Sequence, residues 1–272
     1  MMTAVEAATE SIDVRTTYAR ATIETDCSRP AGRMLYLDDI ECSYVDLDDP
    51  THLEFGYVKR FADVIELTTD PTELLRVTHL GGGGLTLPRY LAATRRGETR
   101  QLVYELDDAL LDLVRRELGA RTSARLRVKL GDARARLQRR SQDSADVIVG
   151  DAFHGRVVPA HLLSAEFVGL VRRVLRPGGV YLLNLIDGPP LRLARSHAAT
   201  LLQAFNDVVI ATDPDVLRGK SSGNLVFAAS DARLPVDRLR TRAAVGRSPD
   251  RVLDYAGVLA LAGDAKPLHD PD

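Results

Sequence analysis

From Pro71 to about residue 230 the chain alternates short apolar runs with longer amphipathic segments, and this alternation constrains its fold most strongly. The apolar runs are predicted to be buried strands at 74–80, 101–106, 126–130, 145–151, 180–186, 207–213 and 224–230. Helices are predicted near 85–95, 107–118, 132–140, 160–175 and 190–205. Because helical crossovers join parallel strands, the pattern predicts an α/β fold with a doubly wound, mostly parallel, seven-stranded Rossmann-like sheet. The direct link between the last two strands predicts one antiparallel strand.

Residues 15–68 follow a different pattern, that of a small N-terminal antiparallel β unit plus a helix. Strand-like stretches run from Thr16 to about Asp48, with turn signals at 29–32 and 38–39. The stretch 51–68 places apolar residues at helical spacing. The α/β domain is then residues 69–262. Both ends, 1–14 and 263–272, are polar or rich in Pro, Asp and Gly, and we predict that they are flexible.

Composition limits the classes of function that the chain can have. Its 272 residues carry a formal net charge of -2, and no apolar run approaches the length of a membrane helix. We therefore expect a soluble protein that binds neither nucleic acid nor a membrane. The first residues lack the apolar region of a secretory signal, so we expect a cytoplasmic location. Cys27 and Cys42 show no metal-ligand spacing, and no metal is expected.

The ends of the predicted strands are the places to look for chemistry. In such sheets a ligand binds at the carboxyl ends of the strands, near the topological switch point. The first strand ends in four glycines, Gly81, Gly82, Gly83 and Gly84. Glycines allow a sharp turn and a close approach of the backbone to a ligand, and the next helix begins facing it. Alone, this loop is a weak indication of a nucleotide site.

Acidic residues follow the next two strands. Glu105 comes about 20 residues after the glycine loop, at the spacing of a carboxylate that accepts the ribose hydroxyls of an adenosine ligand. Asp107 fits the same role or that of a helix N-terminal charge. Asp132, in the turn before Ala133, can meet the adenine amino group, and it can also cap the next helix.

Asp151 ends the fourth predicted strand and should face the cleft. Its carboxylate can act as a base, or as an orienting acceptor, for an incoming nucleophile. The alternative is a loop carboxylate that caps a turn. His154 and His161 are candidates for a second polar group toward the substrate, although a lone loop histidine is more often a surface residue.

Taken in order, these strand ends resemble those of the class I S-adenosylmethionine-dependent methyltransferases, and the linking sequences resemble the spermidine synthases. HLGGGGLTLPRYL is similar to that family's donor-binding glycine loop, LVYELDDALLDLVRREL to its ribose-binding strand and helix, and ADVIVGDAF to its catalytic-aspartate strand. LLSAEFVGLVRRVLRPGGVYLLN resembles the segment that follows. GRMLYLDDIECSYVD and THLEF resemble its small β domain and its Tyr-His-Glu-Met helix, with His52 at the histidine and Glu41 near a glutamine. The resemblance covers about residues 32 to 230.

The resemblance implies a transferase that binds decarboxylated S-adenosylmethionine as co-substrate and passes its aminopropyl group to a small-molecule amine. Asp151 would accept the proton of the attacking amine, Glu105 would hold the donor ribose, and Asp132 would hold the adenine. The resemblance also implies contacts with the donor from Gly81, Gly82, Gly83 and Ala133. It implies contacts with the acceptor from His52 and His154. Members of this family associate through the small β domain, so we also expect a homodimer or higher homo-oligomer.

Two positions depart from the family's pattern and keep other functions open. Gly84 stands where the loop normally has an aspartate that helps to hold the donor's amino end. His154 lies in the loop that normally supplies a second aspartate, in an Asp-Pro step, for the diamine. The first departure leaves open a methyltransferase that uses intact S-adenosylmethionine, whose carboxylate the bare loop amides could accept. Because the chain keeps some of the family's motifs and departs from others, a non-catalytic nucleoside-binding protein also stays open.

Overall fold

The computed structural model describes residues 11–245 and 249–271, which form two β-sheets of unequal size. The smaller sheet has four antiparallel strands in chain order. Its strands are β1 (Ser11–Arg15), β2 (Arg20–Thr25), β3 (Gly32–Leu37) and β4 (Ile40–Asp46). The predicted N-terminal antiparallel unit is therefore present, with β1 as an additional first strand.

The larger sheet has eight strands in the order β12-β10-β11-β9-β8-β5-β6-β7. Their bounds are β5 (Leu75–Leu80), β6 (Thr99–Glu105), β7 (Leu126–Leu130), β8 (Ala145–Gly150), β9 (Leu175–Asp187), β10 (Asp207–Thr212), β11 (Gly223–Ser230) and β12 (Arg251–Leu253). Strands β5 to β9 pair in parallel, whereas β11 is antiparallel to β9 and β10, and β12 is antiparallel to β10. The doubly wound, mostly parallel fold is confirmed. The prediction of seven strands misses β12, because three residues are too few to show a periodic pattern.

Nine helices in the described residues cover the larger sheet and join its strands. They are α1 (Gly56–Thr68), α2 (Thr86–Thr94), α3 (Asp108–Glu117), α4 (Ala133–Gln138), α5 (Ala165–Val174), α6 (Arg192–Ala204), α7 (Pro214–Leu217), α8 (Val236–Ala243) and α9 (Tyr255–Ala262). Apolar residues of α1, α2 and α8 pack in one core, and those of α4, α5, α6 and α9 pack in another. None of the helices in the described ranges combines the length and apolar character that crossing a membrane requires.

Two predicted helices begin later than expected. The helix predicted over 51–68 starts at Gly56, because Thr51 donates from its amide (3.0 Å) and its hydroxyl (2.6 Å) to Asp49 in a turn. The helix predicted over 160–175 is a short 3-10 turn at Ala160–Leu162, and α5 follows after the cap Ser164, whose hydroxyl accepts from the Phe167 amide.

The small sheet completes its core on the α/β domain. Ala21, Ile23 and Leu35 pack in one cluster with Leu110 and Val114 of α3. Helix α1, which the sequence groups with the N-terminal unit, packs instead against the larger sheet and α8. The N-terminal unit is therefore stabilised by burial within one chain.

Both ends of the described chain contain ordered contacts, and their flexibility stays a prediction. Part of the predicted 1–14 segment is strand β1, and residues 1–10 lie outside the described residues. Residues 263–271 lie along α5 and α6, where the Leu268 carbonyl accepts from the Ala165 amide (2.7 Å) and the Leu268 amide donates to the Thr200 hydroxyl (2.9 Å). These contacts join positions far apart in sequence, which a local composition cannot reveal.

Candidate active site

A cavity of about 710 Å³ opens at the carboxyl ends of the parallel strands. The strand order reverses between the neighbours β5 and β8, and this switch point is the expected place for a ligand. Every predicted site residue except His52 lines the cavity: Gly81, Gly82, Gly83, Glu105, Asp132, Ala133, Asp151 and His154. The sheet thus brings together side chains that are up to 73 residues apart in the sequence.

Gly81 is required by the close approach of two strand ends. A Cβ atom on Gly81 would lie 2.3 Å from the carbonyl oxygen of Asp151, and the Gly81 φ is +99°. The Asp151 amide donates to the Leu80 carbonyl at 2.9 Å, which holds the two ends together. Any side chain at Gly81 would separate the glycine loop from Asp151.

Glu105 is fixed by backbone amides at the floor of the glycine loop. Its Oε2 accepts from the Gly82 amide at 2.8 Å, and its Oε1 accepts from the amides of Leu106 (2.8 Å) and Asp107 (3.0 Å). A carboxylate has about four acceptor sites, so capacity remains for a ligand hydroxyl. Glu105 therefore shapes the loop, and its role toward a ribose stays a prediction.

Asp107 caps α3 and attaches the small sheet to it. Its Oδ1 accepts from the Leu110 amide at 3.0 Å, and the amides of Thr17 and Tyr18 donate to the same carboxylate at 3.3 and 3.2 Å. Burial raises the pKa of Asp107, but the hydrogen bonds from Thr16 and from these amides outweigh it and leave the pKa lowered. The helix-terminal role weighed from the sequence is observed.

Asp132 both caps a helix and faces the cavity. Its Oδ1 accepts from the Ala135 amide at 2.8 Å, and its Oδ2 lies 3.0 Å from Nε2 of His161. Ala133 follows it at the start of α4 on the cavity wall. Capping therefore uses one carboxylate oxygen, and the other is shared with a second residue of the wall.

Asp151 is a carboxylate of the cavity lining whose acidity is weakened by burial. Burial raises its pKa to about 6, although hydrogen bonds from Asn184 and Tyr57 act in the opposite direction. Nδ2 of Asn184 donates to Oδ1 of Asp151 at 3.1 Å. The partners of this carboxylate are side chains of β9 and α1 and not amides of the following loop, so the turn-capping alternative is not what the structure has.

Tyr57 and Asn184 are functional candidates that the sequence analysis did not identify. Asn184 is 2% exposed on β9, and its polar side chain in the apolar run VYLLNLI was a usable signal. Tyr57 lies in the stretch 51–68, which the sequence analysis interprets only as a helix. Burial and the nearby Asp151 carboxylate raise the pKa of its hydroxyl well above the usual value. Both residues line the cavity beside Asp151.

His52 is the one predicted site residue that lies elsewhere. Its Nε2 is 3.1 Å from Oε2 of Glu54, and its ring makes an edge contact with Tyr44 at 5.5 Å between centroids. His52 is therefore outside the cavity lining, and its contact with the substrate stays a prediction. Because α1 begins at Gly56, Phe55 and Tyr57 face the cavity in its place.

Comparison with known proteins agrees with this geometry. No protein-family profile matches the chain. A polyamine aminopropyltransferase of Vibrio vulnificus is 28% identical over 196 residues, which are 71% of this chain and 62% of that protein. A probable spermidine synthase structure from Corynebacterium glutamicum superposes with a TM-score of 0.89 at 29% identity over 96% of both chains. The chain is similar to the spermidine synthases in sequence and fold.

The spermidine synthase-like chain spans about three fifths of the length of the Vibrio relative. Its fold also matches human methyltransferase-like protein 13 in complex with SAH, with a TM-score of 0.54 at 20% identity over 76% of this chain and 89% of that one. The class I methyltransferase fold inferred from the strand ends is thereby confirmed. Within the described ranges, no group of three or more His, Cys, Asp or Glu side chains is arranged to hold a metal ion.

The glycine loop leaves little room at Gly84 for the aspartate that the spermidine synthase pattern has there. A Cβ atom there would lie 3.0 Å from both Cβ of Ser43 and Cγ2 of Val45, because β4 packs against the loop. The Gly84 amide donates to Oγ of Ser43 at 2.9 Å. The Gly81 amide donates to the Tyr104 carbonyl at 2.9 Å. With the Gly82 amide bound to Glu105, three of the four glycine amides are engaged within the protein.

The cavity lining contains many more acidic than basic residues. Seven of its described residues are carboxylates, namely Asp38, Asp39, Glu41, Glu105, Asp107, Asp132 and Asp151. Arg156 is the one arginine or lysine among the described lining residues, in the loop that also holds His154. An excess of negative charge in a concave site favours cationic ligands.

Proposed function

We propose that this protein is an aminopropyltransferase, which binds decarboxylated S-adenosylmethionine and transfers its aminopropyl group to a small-molecule amine. The observation that carries the proposal is Asp151, a cavity carboxylate whose pKa is raised to about 6 by burial. A base serves best when its pKa lies near the working pH. Asp151 meets that condition, and it shares the cavity with Glu105 and Asp132.

The reaction is a displacement at the carbon beside a sulfonium. The acceptor nitrogen forms a bond to that carbon while the carbon–sulfur bond breaks, and methylthioadenosine leaves with the electron pair. The nitrogen then carries an extra proton, which Asp151 accepts. The protein mainly orients the two substrates, since positioning supplies much of the rate in such a step. Asn184 and Tyr57 hold the Asp151 carboxylate in place.

The donor half of the cavity is proposed at the glycine loop and the next two strand ends. Gly81, Gly82 and Gly83 let the ligand approach the backbone. Glu105 is placed to accept from ribose hydroxyls through its remaining acceptor capacity. Asp132 and Ala133 are placed on the wall where an adenine ring would bind.

The acceptor half is proposed near Asp151, where acidic and aromatic groups meet. The rings of Phe55 and Tyr57 are stacked with centroids 5.9 Å apart, and both residues line the cavity. Aromatic faces and carboxylates together favour an amine or ammonium group. His154 lies in the exposed loop beyond Asp151, where a neutral imidazole can accept a hydrogen bond from the amine.

A methyltransferase that uses intact S-adenosylmethionine is the second candidate. Its donor carries a carboxylate, and the engaged amides of the glycine loop are poorly available for it. The observation in its favour is Arg156, a cavity-lining residue whose positive charge could pair with that carboxylate. A non-catalytic nucleoside-binding protein is the third candidate. The pKa of Asp151, which burial raises to about 6, argues against it because a catalytic base serves best near that range.

Calorimetric titration with both donors and with methylthioadenosine separates these candidates. We expect the decarboxylated donor to bind more tightly, and turnover to appear with at least one member of an amine panel. Tighter binding of the intact donor, weakened selectively by Arg156→Gln, would select the methyltransferase. Binding of all three nucleosides without turnover would select the non-catalytic protein. A homo-oligomer stays a prediction, which sedimentation tests.

A further inference from the structure

We propose that residues 264–271, which we name the strap, position the adenine side of the cavity through Asp270 and Arg134. The inference deepens the proposed function, because it rests on the donor site placed at Asp132 and Ala133. The strap follows α9 and contacts α5 and α6. In this proposal Arg134 and Asp270 are positioning residues that act through other groups.

The strap is anchored along its length. The Leu268 backbone bonds to Ala165 and Thr200, and the Leu268 side chain packs against the core of the larger sheet. Nδ1 of His269 and the amide of Asp270 each lie 2.9 Å from an oxygen of the Glu166 carboxylate. These contacts fix where Asp270 projects.

Asp270 and Arg134 form a two-pronged ion pair at the end of the strap. Nη1 of Arg134 donates to Oδ1 of Asp270 at 2.6 Å, and Nη2 donates to Oδ2 at 2.5 Å. The two side chains are only 19% and 31% exposed. Paired N–H donors on one carboxylate set the plane of the guanidinium as well as its distance. Hydrogen bonds from Arg134 and Ser164 lower the pKa of Asp270 to about 2, so the pair stays charged at neutral pH.

Arg134 transmits this position to the cavity wall by two routes. It belongs to α4, directly after Asp132 and Ala133 in the chain. Its Nη1 also donates to the carbonyl of His161 at 3.0 Å, and the His161 ring lies 3.0 Å from Asp132. His161, Asp132 and Ala133 all line the cavity. The strap therefore holds together the 3-10 turn and the start of α4, which form one wall.

The test compares Asp270→Asn and Arg134→Gln with Asp264→Asn. Asp264 lies at the other end of the same strap, is fully exposed, and is 3.4 Å from the Arg195 side chain. We expect the first two variants to raise the Kd for methylthioadenosine about 3- to 10-fold, with kcat at saturating donor unchanged. Asp264→Asn should leave the Kd unchanged, and Asp270→Glu should restore most of the affinity. An unaltered Kd in both folded variants would overturn the proposal.

Amide hydrogen exchange gives a second readout that needs no ligand. The amides of Leu162 and Leu163 donate within the 3-10 turn at 2.9 and 3.0 Å, so their exchange reports on its stability. We expect faster exchange in Asp270→Asn than in Asp264→Asn. Equal exchange rates in these two variants would overturn the proposed role of the strap, whatever the titration with methylthioadenosine shows. Failure of the unmodified protein to bind methylthioadenosine would instead count against the proposed function, and the exchange result would still decide whether the strap holds this wall.

Discussion

Asn184 on β9 holds the carboxylate of Asp151 at the end of β8, with Nδ2 and Oδ1 3.1 Å apart. The other amide atom of Asn184, Oδ1, is buried and has no hydrogen-bond partner in the described part of the chain. The pair occurs because β8 and β9 are parallel neighbours, with Gly150 opposite Leu183. A buried amide oxygen without a partner is energetically costly, and here that cost lies next to the proposed base.

Replacing the proposed base should separate binding from catalysis. Asp151→Asn keeps size and hydrogen bonding but loses basicity, so we expect single-turnover rates about 10² to 10⁴ lower. Donor affinity, measured by calorimetry, should change little because Glu105 and Asp132 are untouched. A rate near that of the unmodified protein would remove the catalytic assignment.

The same variant should be at least as stable as the unmodified protein at pH 7. Burial raises the pKa of Asp151 in the folded state to about 6, from its ordinary 3.8. A carboxyl group with a raised pKa contributes to the stability of the folded state fully below pH 3.8, where it is protonated in both states. This contribution to stability is lost as the pH rises through about 6. At pH 7 the ionised carboxylate therefore costs about 2 to 3 kcal/mol, which Asn removes. Thermal melts at pH 4 and 7 check this, and a Tm lowered at pH 7 would contradict it.

Tyr57 should tune the pH dependence of the reaction. Its hydrogen bond lowers the pKa of Asp151 against the larger effect of burial. We expect kcat/KM to rise with pH, with a midpoint near 6 from Asp151. In Tyr57→Phe the midpoint should move upward because that stabilisation of the carboxylate is lost. Phe55→Leu, at a cavity residue without a hydroxyl, is the control that should leave the midpoint in place.

Glu105 should matter for both ligand and loop. Glu105→Gln is expected to weaken adenosyl-ligand binding by about 1 to 3 kcal/mol, the scale for a lost charge-assisted hydrogen bond. Three backbone amides donate to this carboxylate, so an amide NH₂ would face at least one of them and lower the unfolding free energy too. Calorimetry below the melting transition and urea unfolding measure the two effects. Asp108→Asn, at an exposed carboxylate outside the cavity lining, should leave adenosyl-ligand binding unchanged.

Restoring an aspartate at Gly84 should harm the protein. The Cβ would lie 3.0 Å from Ser43 and Val45 on β4, and overpacking of this kind costs about 1 to 3 kcal/mol. We expect Gly84→Asp to lower stability in urea unfolding without improving donor affinity. Gly169→Ala, at an exposed position of α5 with no atom near the added Cβ, should stabilise by about 0.5 to 1 kcal/mol. Tighter donor binding by a stable Gly84→Asp protein would contradict the packing argument.

The strand-end residues of the site could be found from the sequence. Gly81, Glu105, Asp132 and Asp151 each follow a run whose apolar pattern is local, and strands of one parallel sheet end at the same edge. The assignment of His52 to the substrate rests on the family resemblance alone and stays a prediction. The helix expected from residue 51 begins instead at Gly56, after the turn at Asp49.

The sequence by itself determined the α/β class, the switch-point loop and the carboxylates that follow the strands, because periodicity and turn chemistry act within a few residues. Only the tertiary structure decided which side chains surround those carboxylates. Asn184 is 33 residues from Asp151, and Asp270 is 136 residues from Arg134. Ser43 meets Gly84 across 41 residues. Such contacts depend on the order of the strands and on which helix covers which face, and the free energy that selects them comes from burial across the whole core.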